Sequence, residues 1–218
     1  MKILAIDTCT EVASVTLYSS NVKTTRVLTD IAKSSGYILK LCDEVFKEAG
    51  NNLQEIDFIS YTKGPGAFTG VRMCVGVVQG LSLSCSIPTL GFSTLELLAF
   101  RASKILKKDK IATAIDARMG EVYWAVYDNG SISNMRICKP ENVDNLGTGF
   151  IGVGSGWKVH NDELIKASQI NHTDSNIYPE STDLIDLSLL AIESGQKATF
   201  DLPQPIYLRN NVAQKSLK

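Results

Sequence analysis

Two aspartates in matching contexts are the residues best placed to do chemistry in this chain. Ala5-Ile6-Asp7 is followed by Glu11-Val12, and Ala114-Ile115-Asp116 is followed by Glu121-Val122. Each Asp closes a short apolar run of strand type, so a carboxylate there can hold magnesium or orient a phosphate across a cleft. Thr8 and Thr10 follow the first Asp and Arg118 follows the second, so both turns offer further groups for phosphate oxygens. The competing reading is structural: each carboxylate caps the turn after its own strand. No Walker-type lysine accompanies either turn, which counts against a self-sufficient nucleotide site.

The second constellation is Gly64-Pro65-Gly66-Ala67-Phe68-Thr69-Gly70-Val71-Arg72. It follows a strand-like run, Phe58 to Tyr61, and opens an apolar run of helix length that reaches Ser86. Gly64 and Gly66 allow positive φ or close backbone approach, and Pro65 fixes its own φ. Such a strand-to-helix turn can hold a phosphate on helix amides. The alternative is a tight turn that lets two helices pack closely. Thr69 is placed to cap the helix, and Arg72 falls in its first turn. The helix dipole disfavours a cation there, so Arg72 is expected to have an anionic partner. Gly76 and Gly80 each cost about 1 kcal/mol relative to Ala in a helix interior. Something is therefore expected to pack closely on their face, either the first helix of the same chain or a helix of a partner.

Other catalytic parts are scarce. His160 and His172 are the only histidines, twelve residues apart, and neither has a ligand at i+4. They read as surface or loop residues, and no metal site is expected. No G-x-S-x-G elbow accompanies them. The five cysteines (Cys9, Cys42, Cys74, Cys85 and Cys138) lack C-x-x-C spacing and read as small buried hydrophobes in a reducing compartment.

The elements that must carry these residues follow from periodicity. Ile3 to Asp7, Val12 to Tyr18 and Lys23 to Leu28 predict three strands, with Ser20-Asn21 as a hairpin turn. Ile38, Leu41, Cys42, Val45, Phe46 and Ala49 fall at helical spacing between Gly36 and Gly50. Ser93-Thr94-Leu95-Glu96 is a capping box that starts a third helix, reaching about Lys104. Beyond a polar break at Lys107 to Lys110, Ile111–Asp116, Glu121–Tyr127 and Ser131–Cys138 repeat the three strands, with Asn129-Gly130 as the hairpin turn. Phe150 to Gly156 reads as a strand entering a glycine turn, and helices are expected near Asp162–Ser168 and Asp183–Thr199. Asp7 and Asp116 lie 109 positions apart in a chain of 218, so the periodicity itself predicts a duplicated domain.

Composition excludes several classes. Lys plus Arg is 22 and Asp plus Glu is 23, giving a net charge of −1 without charged blocks. That argues against a protein that binds nucleic acid alone through a basic surface. It leaves room for a subunit that helps a partner bind RNA. The apolar run at Met1–Asp7 is too short for a signal peptide, and Val71–Cys85 is interrupted by Arg72, Gln79 and small residues. A cytoplasmic protein without a membrane role is expected.

In order along residues 3 to about 215, a set of motifs resembles the TsaB (YeaZ) family. They are Ile6-Asp7-Thr8, the Gly64–Arg72 segment, Ser93-Thr94-Leu95-Glu96, Ile115-Asp116-Ala117-Arg118 with Gly120-Glu121-Val122-Tyr123, and Tyr207-Leu208-Arg209 with Val212-Ala213. The resemblance implies an α/β, actin-like (ASKHA) two-lobed fold, with duplicated ribonuclease-H-like halves of mixed β-sheet flanked by helices. It implies an N-terminal lobe over 1–106 and a smaller one over 107–218, the tail from about 205 packing back on the first lobe.

The same resemblance implies a non-catalytic subunit in the synthesis of N6-threonylcarbamoyladenosine at position 37 of tRNAs that read A-starting codons. Its expected partners are a TsaD-like paralogue that performs the transfer, a TsaE-like ATPase, tRNA only within the complex, and itself as a homodimer in isolation. The implied partner surface is the first two long helices, here about Ser34–Ala49 and Thr69–Ser86. It assigns Tyr37, Ile38, Leu41 and Val45 on the first helix, and Thr69, Arg72, Met73, Gly76, Val77 and Gly80 on the second.

Three departures matter. The superfamily's Asp-x-Gly-Thr reads Asp7-Thr8-Cys9-Thr10 here, and losing that Gly removes close backbone approach to a phosphate. Asp7, Thr8, Thr10, Gly64, Gly66, Asp116 and Arg118 are thus left as a vestigial nucleotide or phosphate site, with no cofactor required and ATP or ADP bound weakly or at an interface. The two metal-binding histidines of TsaD-type enzymes have no counterpart on the first long helix, and Ser34-Ser35 replaces the frequent His-Ser at its start. Two readings compete: a stand-alone ATP-dependent kinase or peptidase, and a plain homodimeric interaction protein. A kinase needs both Asp7 and Asp116 and binds ATP without a partner.

Overall fold

Strand β1 (Ile3–Asp7) is buried at every position because it lies mid-sheet, with helices on both faces. The computed structural model describes residues 1–29 and 31–209, and side chains outside residues 31–35. β1 pairs antiparallel with β2 (Ala13–Ser19) and parallel with β4 (Phe58–Thr62). With β3 (Val22–Leu28) and β5 (Thr89–Phe92) the order is β3-β2-β1-β4-β5, a mixed five-stranded sheet. Ser20 and Asn21 both adopt positive φ, as a two-residue hairpin demands.

The second sheet repeats the first. β6 (Lys110–Asp116) pairs antiparallel with β7 (Val122–Asp128) and parallel with β9 (Ile151–Val153). β8 (Ser131–Cys138) and β10 (His172–Asp174) complete the order β8-β7-β6-β9-β10, strand for strand the order of the first half. The expected duplicated α/β fold, two mixed sheets flanked by helices, is therefore present, with Asp7 and Asp116 at equivalent strand ends. β5 and β10 were not anticipated: at 4 and 3 residues they are too short to show alternation.

Helices α1 (Ile31–Ala49) and α2 (Phe68–Cys85) cover one face of the first sheet, packing Ile38, Leu41, Val45, Val71, Cys74 and Val78 against the strands. α2 has the length and composition of a bilayer-crossing helix, yet it is a core helix: its apolar stripe is spent on that sheet. On the corresponding face of the second sheet, among the described residues, lie only the short α4 (Ser155–Val159) and α5 (Asn161–Ser168).

The helices that follow each sheet are exchanged. α3 (Thr94–Leu106), started by the Ser93 hydroxyl accepting from the Leu95 amide, packs Leu95, Leu98 and Ala102 on Ile111, Ile115 and Val153 of the second sheet. α6 (Ser181–Glu193) packs Leu184 and Ile185 on Ile3, Ala5 and Phe58 of the first. A boundary at 106/107 thus divides the sheets but not the cores. Between α3 and α6, Arg101 bridges Glu180 at 2.5 Å and also meets Asp183, while Lys104 bridges Asp183 at 2.5 Å and Asp186 at 2.6 Å.

α6 ends at Glu193, earlier than the expected Thr199, because the chain turns at Gly195 and pairs Thr199 with Thr89 at the sheet edge. The tail then runs over α2. Gln79 donates to the Pro203 carbonyl (2.7 Å) and the Ile206 amide to the Lys63 carbonyl (2.7 Å). It also reaches the second lobe, where Arg209 bridges Glu121 at 2.7 Å and donates to the Ala117 carbonyl at 3.0 Å. Val212-Ala213 and the Ser34-Ser35 side chains lie outside the described residues.

Candidate functional site

Asp7 is fully buried and does not line the space between the lobes. Its Oδ1 accepts from the Thr62 hydroxyl (2.5 Å) and the Cys9 amide (3.1 Å), closing the turn after β1. Asp116 Oδ1 accepts from the Arg118 amide at 3.0 Å in the same way. Both carboxylates are therefore turn caps repeated by the duplication.

Burial pushes the Asp7 carboxyl up to about 6, against the lowering effect of the Thr62 and Cys9 hydrogen bonds. A folded-state value above the ordinary one means the native state binds the proton more tightly than the unfolded chain does. Stability from this group is therefore lost as pH rises from about 4 to 6, by at most about 3 kcal/mol. Urea unfolding of the wild type and Asp7→Asn across that range checks this. The difference in stability between the two should shift in favour of the Asn variant as pH rises; a pH-independent difference would contradict it.

The glycine-rich turn is closed by the chain's own backbone. A Cβ on Gly66 would lie 2.0 Å from the Cys9 carbonyl oxygen, and one on Gly70 would lie 2.0 Å from that of Thr8. The Ala67 amide donates to the Cys9 carbonyl (2.8 Å), and the Thr8 hydroxyl donates to the Gly70 carbonyl (2.7 Å). These glycines let the start of α2 press onto the turn after β1. The close packing foreseen for the turn is thus between helix and turn rather than between two helices.

Thr69 does not cap α2. The helix begins at Phe68, with Ala67 at the N-cap position making no side-chain cap bond, because Gly70 must already be helical to reach Thr8. Arg72 consequently lies one residue beyond the first turn.

Of the expected phosphate residues, Thr10, Gly66, Asp116 and Arg118 do border a cavity of about 550 Å³ between the lobes; Asp7, Thr8 and Gly64 do not. The tail residues Ile206 to Arg209 form one of its walls. His160 lies against this site: its Nε2 sits 3.7 Å from Asp116 Oδ1 and it is only half-buried rather than a free surface group. His172 is exposed in β10. Among the described residues, no three His, Cys, Asp or Glu side chains gather where a metal ion could be held.

The helix surface differs from expectation in three residues. Ile38, Leu41 and Val45 are buried in the core and cannot reach a partner, because α1 turns this stripe onto the sheet. Met73 and Val77 are half-buried, while Tyr37, Thr69, Arg72, Gly76 and Gly80 are exposed. Leu39 (58 % exposed), Phe68 (47 %) and Leu83 (70 %) extend this surface and were not anticipated. The fourfold spacing of Phe68, Arg72, Gly76 and Gly80 was the available signal, since it places them on one helix face.

Arg72 has no anionic partner within the described chain. Its guanidinium lies 3.6 Å from the Phe68 ring centroid, and its Nε donates to the Tyr207 hydroxyl at 3.1 Å. Among the described residues, nothing lies within 4 Å of a Cβ built on Gly76 or on Gly80. The first helix of the same chain therefore does not account for these glycines.

Known proteins match this arrangement closely. Residues 31–200 match the family model "TsaD: tRNA N6-adenosine threonylcarbamoyltransferase". The tRNA threonylcarbamoyladenosine biosynthesis protein TsaB of Escherichia coli is 34 % identical, the match covering 100 % of this chain and 98 % of that protein. Its Haemophilus influenzae namesake is 32 % identical over 100 % and 97 %. The solved structure of YeaZ from Pseudomonas aeruginosa superposes with a TM-score of 0.84 at 31 % identity, over 94 % of this chain and 100 % of that one. A chain described as similar to peptidase YeaZ from Pseudomonas aeruginosa gives 0.87 at 33 %, over 95 % and 99 %. With its two repeated sheets, its self-closed glycine turn and these full-length matches, the chain belongs to the TsaB (YeaZ) family of tRNA threonylcarbamoyladenosine biosynthesis proteins, relatives of TsaD.

Proposed function

We propose that this chain is a non-catalytic subunit of a cytoplasmic tRNA threonylcarbamoyltransferase complex, acting by binding a TsaD-like protein through the exposed face of α1 and α2. A TsaE-like ATPase and tRNA join through that pair. One observation carries the reading: Gly76 and Gly80 sit in the middle of a helix, each at a cost of about 1 kcal/mol, with open space around them. Nothing among the described residues of the chain uses them. A helix of another molecule, pressed close to that backbone, does.

The non-catalytic assignment rests on the turn chemistry. The amide of Ala67 and the carbonyls of Cys9 and Gly70 are bonded to each other's elements, and Asp7 is buried under them. A triphosphate would have to displace these bonds. Any nucleotide is therefore weak or shared with a partner.

Co-expression with a TsaD-like chain, followed by affinity purification and sedimentation, tests the reading. A stable complex through α1 and α2 is the expected result. Tight ATP binding and hydrolysis by the isolated chain, abolished by Asp116→Asn, would favour a stand-alone enzyme instead.

A further inference from the structure

Arg72 is held in one orientation with its binding fork unused. Stacking on Phe68 fixes the plane of the guanidinium, and the Tyr207 hydroxyl takes the Nε proton. Neither terminal nitrogen makes a hydrogen bond among the described residues. An exposed arginine ordinarily gives up rotamer freedom to meet an anion; here that cost is already met, leaving two parallel donors that match a carboxylate. No anion of the described chain pairs with it.

Arg72 shares a face with Gly76 and Gly80, at successive fourth positions of α2. A helix lying across those glycines passes beside the guanidinium.

The anion does not come readily from a second copy of this chain. α2 carries no Asp or Glu in its sequence from Phe68 to Cys85. On α1, Glu44 and Glu48 are already paired with Arg26, and Asp43 with Lys47. Self-association through these helices would have to draw a carboxylate away from Arg26 or Lys47, or desolvate Arg72 unpaired.

Building on the proposed partner surface, we propose that Arg72 is an anchor that receives an aspartate or glutamate carboxylate from a helix of a different protein, selecting that partner over a second copy of this chain. Close packing at Gly76 and Gly80 supplies contact area, and Arg72 supplies register and choice.

The test uses the full chain and a co-purified TsaD-like chain, with affinity measured by calorimetry at two salt concentrations and self-association by sedimentation. Arg72→Met keeps the stack on Phe68 but removes the charge; partner affinity should fall roughly tenfold and lose much of its salt dependence. Arg72→Glu should cost more, and Arg72→Lys should fall between, since an ammonium has no fork. Self-association should hold or strengthen in Arg72→Met, because the desolvation cost of the unpaired charge is gone. Tyr207→Phe leaves the charge and removes its orienting bond, so a loss of about threefold is expected with the melting temperature as a control. Partner affinity unchanged in Arg72→Met, or lost equally for partner and self, would overturn the anchor. Gly80→Leu separates the two claims: if it weakens the complex while Arg72→Met does not, only the anchor fails, and if neither does, the surface itself is wrong.

Discussion

Alanine at Gly70 is expected to destabilise the isolated chain by at least about 3 kcal/mol, the upper end of overpacking costs. The added Cβ would lie 2.0 Å from the Thr8 carbonyl oxygen, and that oxygen belongs to a turn fixed by Asp7 at the end of a buried central strand. Neither side can retreat without breaking the Thr8–Gly70 hydrogen bond. Gly66→Ala, aimed at the Cys9 carbonyl, should behave alike. Thermal unfolding checks this, with a fall of roughly 6 to 12 °C expected for a chain of this size. Gly76→Ala is the matched control: with open space around it, it should stabilise the monomer by up to about 1 kcal/mol. Equal effects at Gly70 and Gly76 would mean the turn and helix are not pressed together.

Leucine at Gly80 is expected to leave that monomer folded and to weaken partner assembly roughly a hundredfold. Gly80 is exposed, and among the described residues nothing lies within 4 Å of the Cβ that the side chain starts from. In a complex it would stand between two helix backbones, where small residues are needed for close approach; a hundredfold corresponds to about 2.7 kcal/mol. Sedimentation or calorimetry with the TsaD-like chain reads the loss, and circular dichroism reads the fold. Unchanged assembly would remove α2 from the interface.

The duplication was legible because Asp7 and Asp116 end equivalent strands, and both hairpins carry strong turn residues at Ser20-Asn21 and Asn129-Gly130. The short edge strands were not, since residues 89–92 and 172–174 offer too few positions for alternation. The exchange of α3 and α6 between sheets was equally hidden: amphipathic spacing shows that a helix has a buried face, never which sheet receives it.

The site divides along the same line. Glycine spacing identified Gly66 as special and Gly76 and Gly80 as exposed to something, yet sequence could not say that the first answers to Cys9 and the other two to nothing in this chain. Ile38, Leu41 and Val45 were assigned to a partner through the family resemblance, and the sequence offers no check on that, because an apolar stripe reads alike whether it faces a core or a neighbour. Arg72 shows the converse. Its place on the Phe68 face was legible from the fourfold spacing, but the Tyr207 contact depends on a tail 135 residues away.

The most direct measurement is reconstituted threonylcarbamoylation of tRNA with the TsaD-like and TsaE-like proteins, with and without this chain. Modification that requires the chain, and that falls steeply with Gly80→Leu and less steeply with Gly80→Ala although both monomers stay folded, is the predicted result. Modification at the same rate without the chain would contradict the account and return attention to the cavity beside Asp116 and Arg118.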